Sequence, residues 1–456
     1  MQQLTVGGAA GAGGRETAQM LATAEVGLSV RRSDRRHRLG RPFWGLWSAT
    51  TVSAVGDGAA LVALPLLAVS LTGDARLVAL VAVMQRLPWL VVAPFTGLLA
   101  DLADRRRLVV AAEAVRTALF GALAAGVAAH FHPLACLYAT AFLVGCADTT
   151  FSAAGGALTP ELVDSEDLGR ANGYLQATRR SGEGLTGPAI GGVLAAVALS
   201  LPLVVDGFSF AVSGLLLATV LPKGLGVAPM AANSGSGASP SPTPRRRSLS
   251  AELRQGMRWF RASGPVRSLS VYVAGLAFCQ AAVFGVMALW ASRDLHLSRI
   301  GYGLFLAAVA VGGVIGGGIG ARWGDRLPVR RVLVLAGLLA AAGYLVAGTT
   351  TAIPVAAAAL GLEAGAVLAG NSVGIAARQR LIPRHLLGRV GNVVRLCIFG
   401  SMSVGAAAGG FLASVTSLRF VFIAAAGLQL VVVAVWGSHL GSADEPAHRP
   451  VVVHLP

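Results

Sequence analysis

"GLLADLADRRRLVV", Gly97–Val110, breaks an apolar run with two aspartates and three consecutive arginines, after which the chain turns apolar again. A comparable break returns in "GGGIGARWGDRLPVRRVLVL", Gly316–Leu335, about 224 residues later. Compact charge between two long hydrophobic segments is what a tight loop between membrane-crossing helices contains. Each flank is long enough, at 1.5 Å per residue, to cross a hydrocarbon core of ~30 Å, while the charges stay in water at its surface.

The rest of the chain has the same texture. Its 456 residues are 55% hydrophobic and only 13% charged, with a mean hydropathy of +0.68. A soluble chain carries about twice that charge density. Twelve apolar segments follow one another, at 43–71, 77–100, 108–129, 134–158, 172–199 and 202–221, then 268–292, 300–321, 332–349, 353–377, 391–416 and 419–437. The expected fold class is an all-α integral membrane protein of twelve transmembrane helices, and the first segment reads as a retained span rather than a cleaved leader.

The net charge of +16 has the same origin. Twenty-eight of the 37 Lys and Arg residues fall on the side of the N-terminus, four (Arg76, Arg293, Arg299, Arg419) on the other, and five within spans. That bias places both termini in the cytoplasm and explains the charge without nucleic acid. The early "GGAAGAGG" lacks the preceding strand and following Lys-Ser/Thr of a phosphate loop. Cys136, Cys146, Cys279 and Cys397 lie at unrelated spacings in apolar segments and read as packing residues, with no metal site, and no catalytic constellation or cofactor motif is present. An enzyme is not expected.

A second internal match joins "LGRANGYLQATRRSGEGLTGPAIGGVLA" (168–195) to "LGRVGNVVRLCIFGSMSVGAAAGGFLA" (387–413), 219 residues on. Two six-helix pseudo-repeat bundles follow, at 42–222 and 268–437, between a disordered basic tail (1–41) and a cytoplasmic tail (438–456). The linker, 223–267, is first Pro/Gly/Ser-rich and then "AELRQGMRWFRASGPVR", whose spacing predicts an amphipathic helix on the membrane surface.

Ionisable residues inside spans are costly, at least ~2.5–3.5 kcal/mol each near the centre, and so mark pairs or ion and substrate paths. Asp57 and Arg86 come out at nearly the same depth if their spans are antiparallel neighbours. They form either a pair that a proton breaks or a purely structural one. Glu183, four residues after Arg179 and three after Arg180, shares a helix face with both, as their structural partner or as a titrating group. Glu113 and Arg116, one turn apart, are expected to pair. Asp148 and Glu363 have no same-helix cation and are candidate proton or cationic-substrate contacts.

These residues together resemble the major facilitator superfamily. The likeness rests on Gly97, Asp101 and the basic cluster Arg105, Arg106 and Arg107 in the first hairpin, with Asp104 between, on Asp325, Arg326, Arg330 and Arg331 in the second, and on "GLTGPAIGG" with Gly187, Pro188, Gly191 and Gly192. "SAVGDGAALVALPLLAVSLTG" and "TPELVDSEDLGRANGYLQATR" look like the branch of enterobactin and macrolide exporters. Leu102 and Glu183 depart from that pattern. The resemblance implies a bacterial cell-membrane, proton-coupled exporter of an organic small molecule such as a siderophore or macrolide, working as a monomer by alternating access. It also implies a cytoplasmic gate at the two hairpins and an antiporter-type bend at Pro188. An importer or lipid flippase on the same fold, or a transport-dead sensor or scaffold using the basic linker, stays open at this level.

Overall fold

A computed structural model describes residues 39–93, 95–96, 99, 103–222, 249–323, 326–383 and 386–443. Among them all regular structure is helical. The helices are α1 (Arg41–Leu71), α2 (Ala75–Val91), α3 (Arg105–Ala128), α4 (Pro133–Leu162), α5 (Leu168–Ser181), α6 (Gly187–Val197), α7 (Leu201–Val220), α8 (Leu249–Ala262), α9 (Gly264–Arg293), α10 (Arg299–Trp323), α11 (Val329–Thr349), α12 (Ile353–Leu381), α13 (Leu387–Val415) and α14 (Leu418–Gly437). The tail before residue 39, residues 223–248 of the linker and the tail after 443 lie outside the described residues.

Among the described residues, ten helices are long and apolar enough to cross a membrane. The two remaining expected crossings are shorter for identifiable reasons, and the total is consistent with twelve. Regular α2 geometry covers 17 residues and ends just after Pro88. The fifth crossing is broken into α5, a π turn at Gly182–Thr186, and α6. Pro188 has no amide hydrogen for the Gly184 carbonyl, and the ladder widens there, with the Gly187 N–H reaching back to the Gly182 carbonyl.

The duplication is visible in which helices touch. In the first half α1 packs on α6 and α7, α4 on α2 and α3, and α3 on α7. In the second, α9 packs on α13 and α14, α12 on α10 and α11, and α11 on α14. Each contact of one half has its counterpart in the other. Two main seams join the halves, α2 against α13 and α6 against α10, and they exchange under the same correspondence.

Both seams are tightest at the bundle end remote from Arg41. A methyl on Gly410 of α13 would lie 2.5 Å from Ala79 of α2, and one on Gly192 of α6 would lie 3.0 Å from the Gly303 Cα of α10. Arg299 Nη1 donates across this seam to the Ala195 carbonyl at 3.0 Å. In α5, at the other end of the fifth crossing, Ala171 alone is buried, whereas α6 buries Gly187, Pro188, Gly191, Gly192 and Ala195. The halves therefore close at the end remote from Arg41.

The first hairpin is anchored by its own half. Asp104 caps α3, accepting from the Arg106 and Arg107 amides, and the Arg106 guanidinium donates to the Ala218 carbonyl near the end of α7. In the second half Arg330 Nε donates to the Gly437 carbonyl at the end of α14, at 2.9 Å. Each guanidinium satisfies a carbonyl at the negative end of a helix dipole. Arg106→Ala and Arg330→Ala should each lower stability by about 1 kcal/mol, read from thermal unfolding in detergent; a change confined to one of the two would break the equivalence. Between α1 and α2, Asp74 caps α2, and its carboxyl is held below the usual carboxylate range, first by the Arg76 side chain and then by the Arg76 amide. That stabilisation is present above the ordinary carboxylate pKa and is lost as pH falls through the lowered one.

The linker helix α8 docks one face on protein. Trp259 and Phe260 are buried beside Val390, Val393 and Val394 of α13, Gly256 abuts the Arg389 backbone, and Arg389 Nη1 donates to Gln255 Oε1 at 2.8 Å.

Candidate functional site

The first half encloses a cavity of about 370 Å³. Ionisable residues from seven elements line it: Asp57 of α1, Arg86 of α2, Arg116 of α3, Asp148 of α4, Arg179 of α5, Glu183 of the π turn and Asp206 of α7. Trp89, Phe120 and Phe151 supply aromatic walls. Seven charged groups around one space inside a membrane bundle can bind a polar or charged group, or carry a proton.

Arg116 is the hub. Its Nη2 lies 2.5 Å from Asp148 Oδ1 and its Nη1 3.3 Å from Glu113 Oε2, and the side chain is 5% exposed. Glu113, fully buried, also accepts from Ser213 Oγ at 2.8 Å. The guanidinium lies between the Phe151 and Phe210 rings, 4.8 and 5.0 Å from their centroids, which places aromatic faces where water would otherwise solvate the cation. The expected Glu113–Arg116 pair is present, and Asp148 finds its cation on a neighbouring helix rather than its own.

Two expected pairings do not form. Asp57 and Arg86 line the same cavity, yet no ion pair joins them. Asp57 Oδ2 accepts from Ser53 on its own helix at 3.4 Å. Counting residues along the spans gives depth but no bearing around the helix, and both side chains face the cavity instead of each other. Glu183 makes no ion pair with Arg179 or Arg180. The π turn begins at Gly182, so the four-residue spacing that would stack Glu183 over Arg179 is lost. Arg179 remains with Glu183 on the cavity wall, whereas Arg180 points to α10, its Nη1 3.9 Å from where a Gly317 methyl would stand.

Asp206 is the residue that sequence reading missed. It is fully buried, its Oδ1 accepts from Ser209 at 3.2 Å, and its Oδ2 has no hydrogen-bond partner. A methyl on Gly56 would collide with Asp206 Oδ1 and Ser209 Oγ, so α7 presents this carboxyl directly against the α1 backbone, one residue from Asp57. The signal was an acid inside the apolar run "LPLVVDGFSF", the criterion that had picked out Asp57.

In the second half Glu363 occupies a smaller polar site. Its Oε1 accepts from Tyr344 at 2.7 Å and from Gln280 at 3.2 Å. Tyr344→Phe should cost about 1–3 kcal/mol by leaving a buried acceptor short of a donor; an unchanged unfolding temperature would show that the carboxyl repartners.

Gly97, Asp101 and Asp325 lie outside the described residues. Of the remaining hairpin groups, Arg105 pairs with Glu161 of α4, Arg107 lies 3.8 Å from Asp104, and Arg326 and Arg331 are exposed. The bend at Pro188 takes the form of the π turn. Below it, Gly187 and Gly191 admit α1 at Gly58 and Ala59, and Gly192 admits α10 at Gly303. One small-residue surface therefore serves both the half's own core and the seam between halves.

The comparisons agree with this geometry. A family model described as transmembrane secretion effector matches residues 40–453. The multidrug efflux pump Tap of Mycobacterium tuberculosis is 27% identical over 401 residues, covering 84% of this chain and 90% of that one. Macrolide efflux protein A of Streptococcus pyogenes is 25% identical over 184 residues, covering 40% and 45%. The nucleoside transporter NupG shares the fold, with a TM-score of 0.71 at 9% identity over 87% of this chain and 99% of that one. An all-helical membrane bundle of two matching halves, closed over a charged cavity and matched across nearly its whole length, belongs to the transmembrane secretion effector family of major facilitator transporters.

Proposed function

We propose that this transporter exports amphipathic organic molecules, with cargo and protons sharing the first-half cavity. The carrying observation is the mixture on its wall: four carboxylates, three guanidiniums and three large aromatic rings around about 370 Å³. That size lies within the range of small-molecule sites. Aromatic faces suit flat apolar cargo, and carboxylates suit a cationic group. The efflux names carried by the sequence relatives support the outward direction.

Coupling follows from the hub. Arg116 already holds Glu113 and Asp148, while Asp57 and Asp206 touch only hydroxyl partners. A carboxyl without a cation, buried in a membrane, is more stable protonated. Loss of that proton would draw Arg116 toward α1 and α7 and loosen its hold on α4. Such a change separates two arrangements of the half, one proton-loaded and one not. Rocking of the halves on the α2/α13 and α6/α10 seams would expose the cavity to each side in turn, with the hairpins at Asp101 and Asp325 latching the cytoplasmic side. The Lys/Arg bias supports cytoplasmic termini in a bacterial cell membrane.

The test is a drug and siderophore susceptibility panel in a pump-deleted bacterial host. The intact chain should raise tolerance to at least one amphipathic compound, and Asp57→Asn or Asp206→Asn at equal membrane abundance should remove it. Full tolerance in both variants would take these acids out of coupling, and no change with the intact chain would remove the export reading.

A further inference from the structure

In the second half three helices meet on one acid. Glu363 of α12 accepts at Oε1 from Tyr344 of α11 at 2.7 Å and from Gln280 of α9 at 3.2 Å. It is 6% exposed and lies ten residues from the start of α12 at Ile353. That is about 15 Å at 1.5 Å per residue, halfway through a ~30 Å core. Among the described residues no cation pairs with it. The other titratable groups facing it are Tyr344 itself and Cys279, which is buried on α9 close enough to act on Tyr344. On the far side of α12, Gly361 and Gly365 meet Gly312 and Gly316 of α10, which bring no charge.

The duplication shows what this position is. Gly187 lies against the Val55 carbonyl and Gly191 against that of Ala59, while Gly405 lies against the Phe278 carbonyl and Gly409 against that of Ala282. The step from Val55 to Phe278 equals the step from Ala59 to Ala282, and it carries Asp57 onto Gln280. The step between the matched hairpin arginines, Arg106 and Arg330, carries Phe120 onto Tyr344. Asp57 and Phe120 both line the first-half cavity. Both donors of Glu363 therefore stand at positions that are cavity wall in the other half. Where the first half has its acid on α1, the second has a donor there and the acid on α12.

The Tyr344 hydroxyl and the Gln280 amide are neutral donors, able to hold a carboxylic acid or a carboxylate. A purely structural contact needs no acid, because a glutamine at this position would accept from the same two donors with no charge to bury. What a glutamate adds is a proton that can be bound and released. We propose that Glu363 is a proton-binding site of the second half, separate from the first-half cavity. Release places a negative charge where α9, α11 and α12 meet, with two hydrogen bonds and no cation to receive it, and uptake removes that charge. Hydrogen bonds to the charged form are the stronger ones, so the proton sets how firmly this carboxyl ties the three helices together. The site does not depend on the cargo or on the coupling proposed for the first half.

The test is infrared difference spectroscopy of the purified full chain in nanodiscs between about pH 5 and about pH 10, a span that covers buried carboxyls. The band of protonated carboxyls should fall as pH rises, and Glu363→Gln, which keeps an acceptor for both donors, should remove one carboxyl's share of that change. The same share should be lost on a background of Asp57→Asn with Asp206→Asn, which separates this site from the first-half acids. Gln280→Met leaves the acid in place and takes away one donor, so the Glu363 part of the band should move to higher frequency. It reads the same group if Glu363→Gln fails to fold. A difference spectrum in Glu363→Gln identical to the parent's, a Glu363 band that persists at the highest pH, or an unshifted band in Gln280→Met would each overturn the site.

Discussion

Arg116→Met is expected to destabilise the protein by about 3–5 kcal/mol and to abolish transport. The residue is matched in bulk, so the loss is electrostatic: Glu113 and Asp148 are left facing each other without the cation that holds both. Removing those two charges as well, with Glu113→Gln and Asp148→Asn, should restore most of the stability, because no unpaired charge then remains in the bundle. Transport should stay absent in the triple variant, since the group proposed to move between acids is gone. Thermal unfolding in detergent reads the first effect and drug tolerance the second. A single variant as stable as the parent would mean that the buried ion pairs are replaced by water at no cost.

Gly192→Leu carries the second large effect, on conformation rather than on charge. The first added carbon alone would lie 2.9 Å from the Arg299 carbonyl and 3.0 Å from the Gly303 Cα, both backbone atoms that cannot swing aside. Overpacking of this kind costs about 1–3 kcal/mol. Here the cost falls on the state in which the outer ends of α6 and α10 touch, and spares the state in which they part. The equilibrium between the two should move by about 5–150-fold toward outer opening. Spin labels on cysteines replacing Val197 and Ile300, at the outer ends of those helices, should report longer distances in the variant. An unchanged distance distribution would mean that the seam is not a moving contact.

Most of the fold could be read from the sequence because lipid imposes a simple grammar. The apolar runs carried the all-helical membrane class, the echo of "LADLADRRR" in "WGDRLPVRR" pointed to the duplication, and each hairpin's arginine, Arg106 or Arg330, plays the same part in its half. What failed was azimuth. Asp57 and Arg86 share a depth, but depth follows from counting residues, whereas direction around a helix depends on neighbours that only the packed bundle supplies. The π turn failed for a related reason. Pro188 announces a kink, but whether the ladder breaks, bends or widens by one residue depends on Gly58 and Gly182 fitting beside it. That single added residue undid the Glu183 pairing. Asp206 was overlooked although nothing hid it. The acid interrupts an apolar run as plainly as Asp57 does, and its importance shows once α7 sets it against Gly56. For α8 the helical spacing was legible, whereas its contact with α13 involves Arg389 and Val390, far along the chain.

The account rests on one claim, that the buried carboxyls of the first half link proton movement to the movement of an organic molecule. Purified protein in vesicles, with an imposed pH gradient and a fluorescent organic cation outside, tests it directly. The intact protein should accumulate the dye inside vesicles that are acidic within, stop when a protonophore collapses the gradient, and lose accumulation with Asp57→Asn combined with Asp206→Asn. Dye uptake that ignores the protonophore, or that persists undiminished in the double variant, would contradict the account.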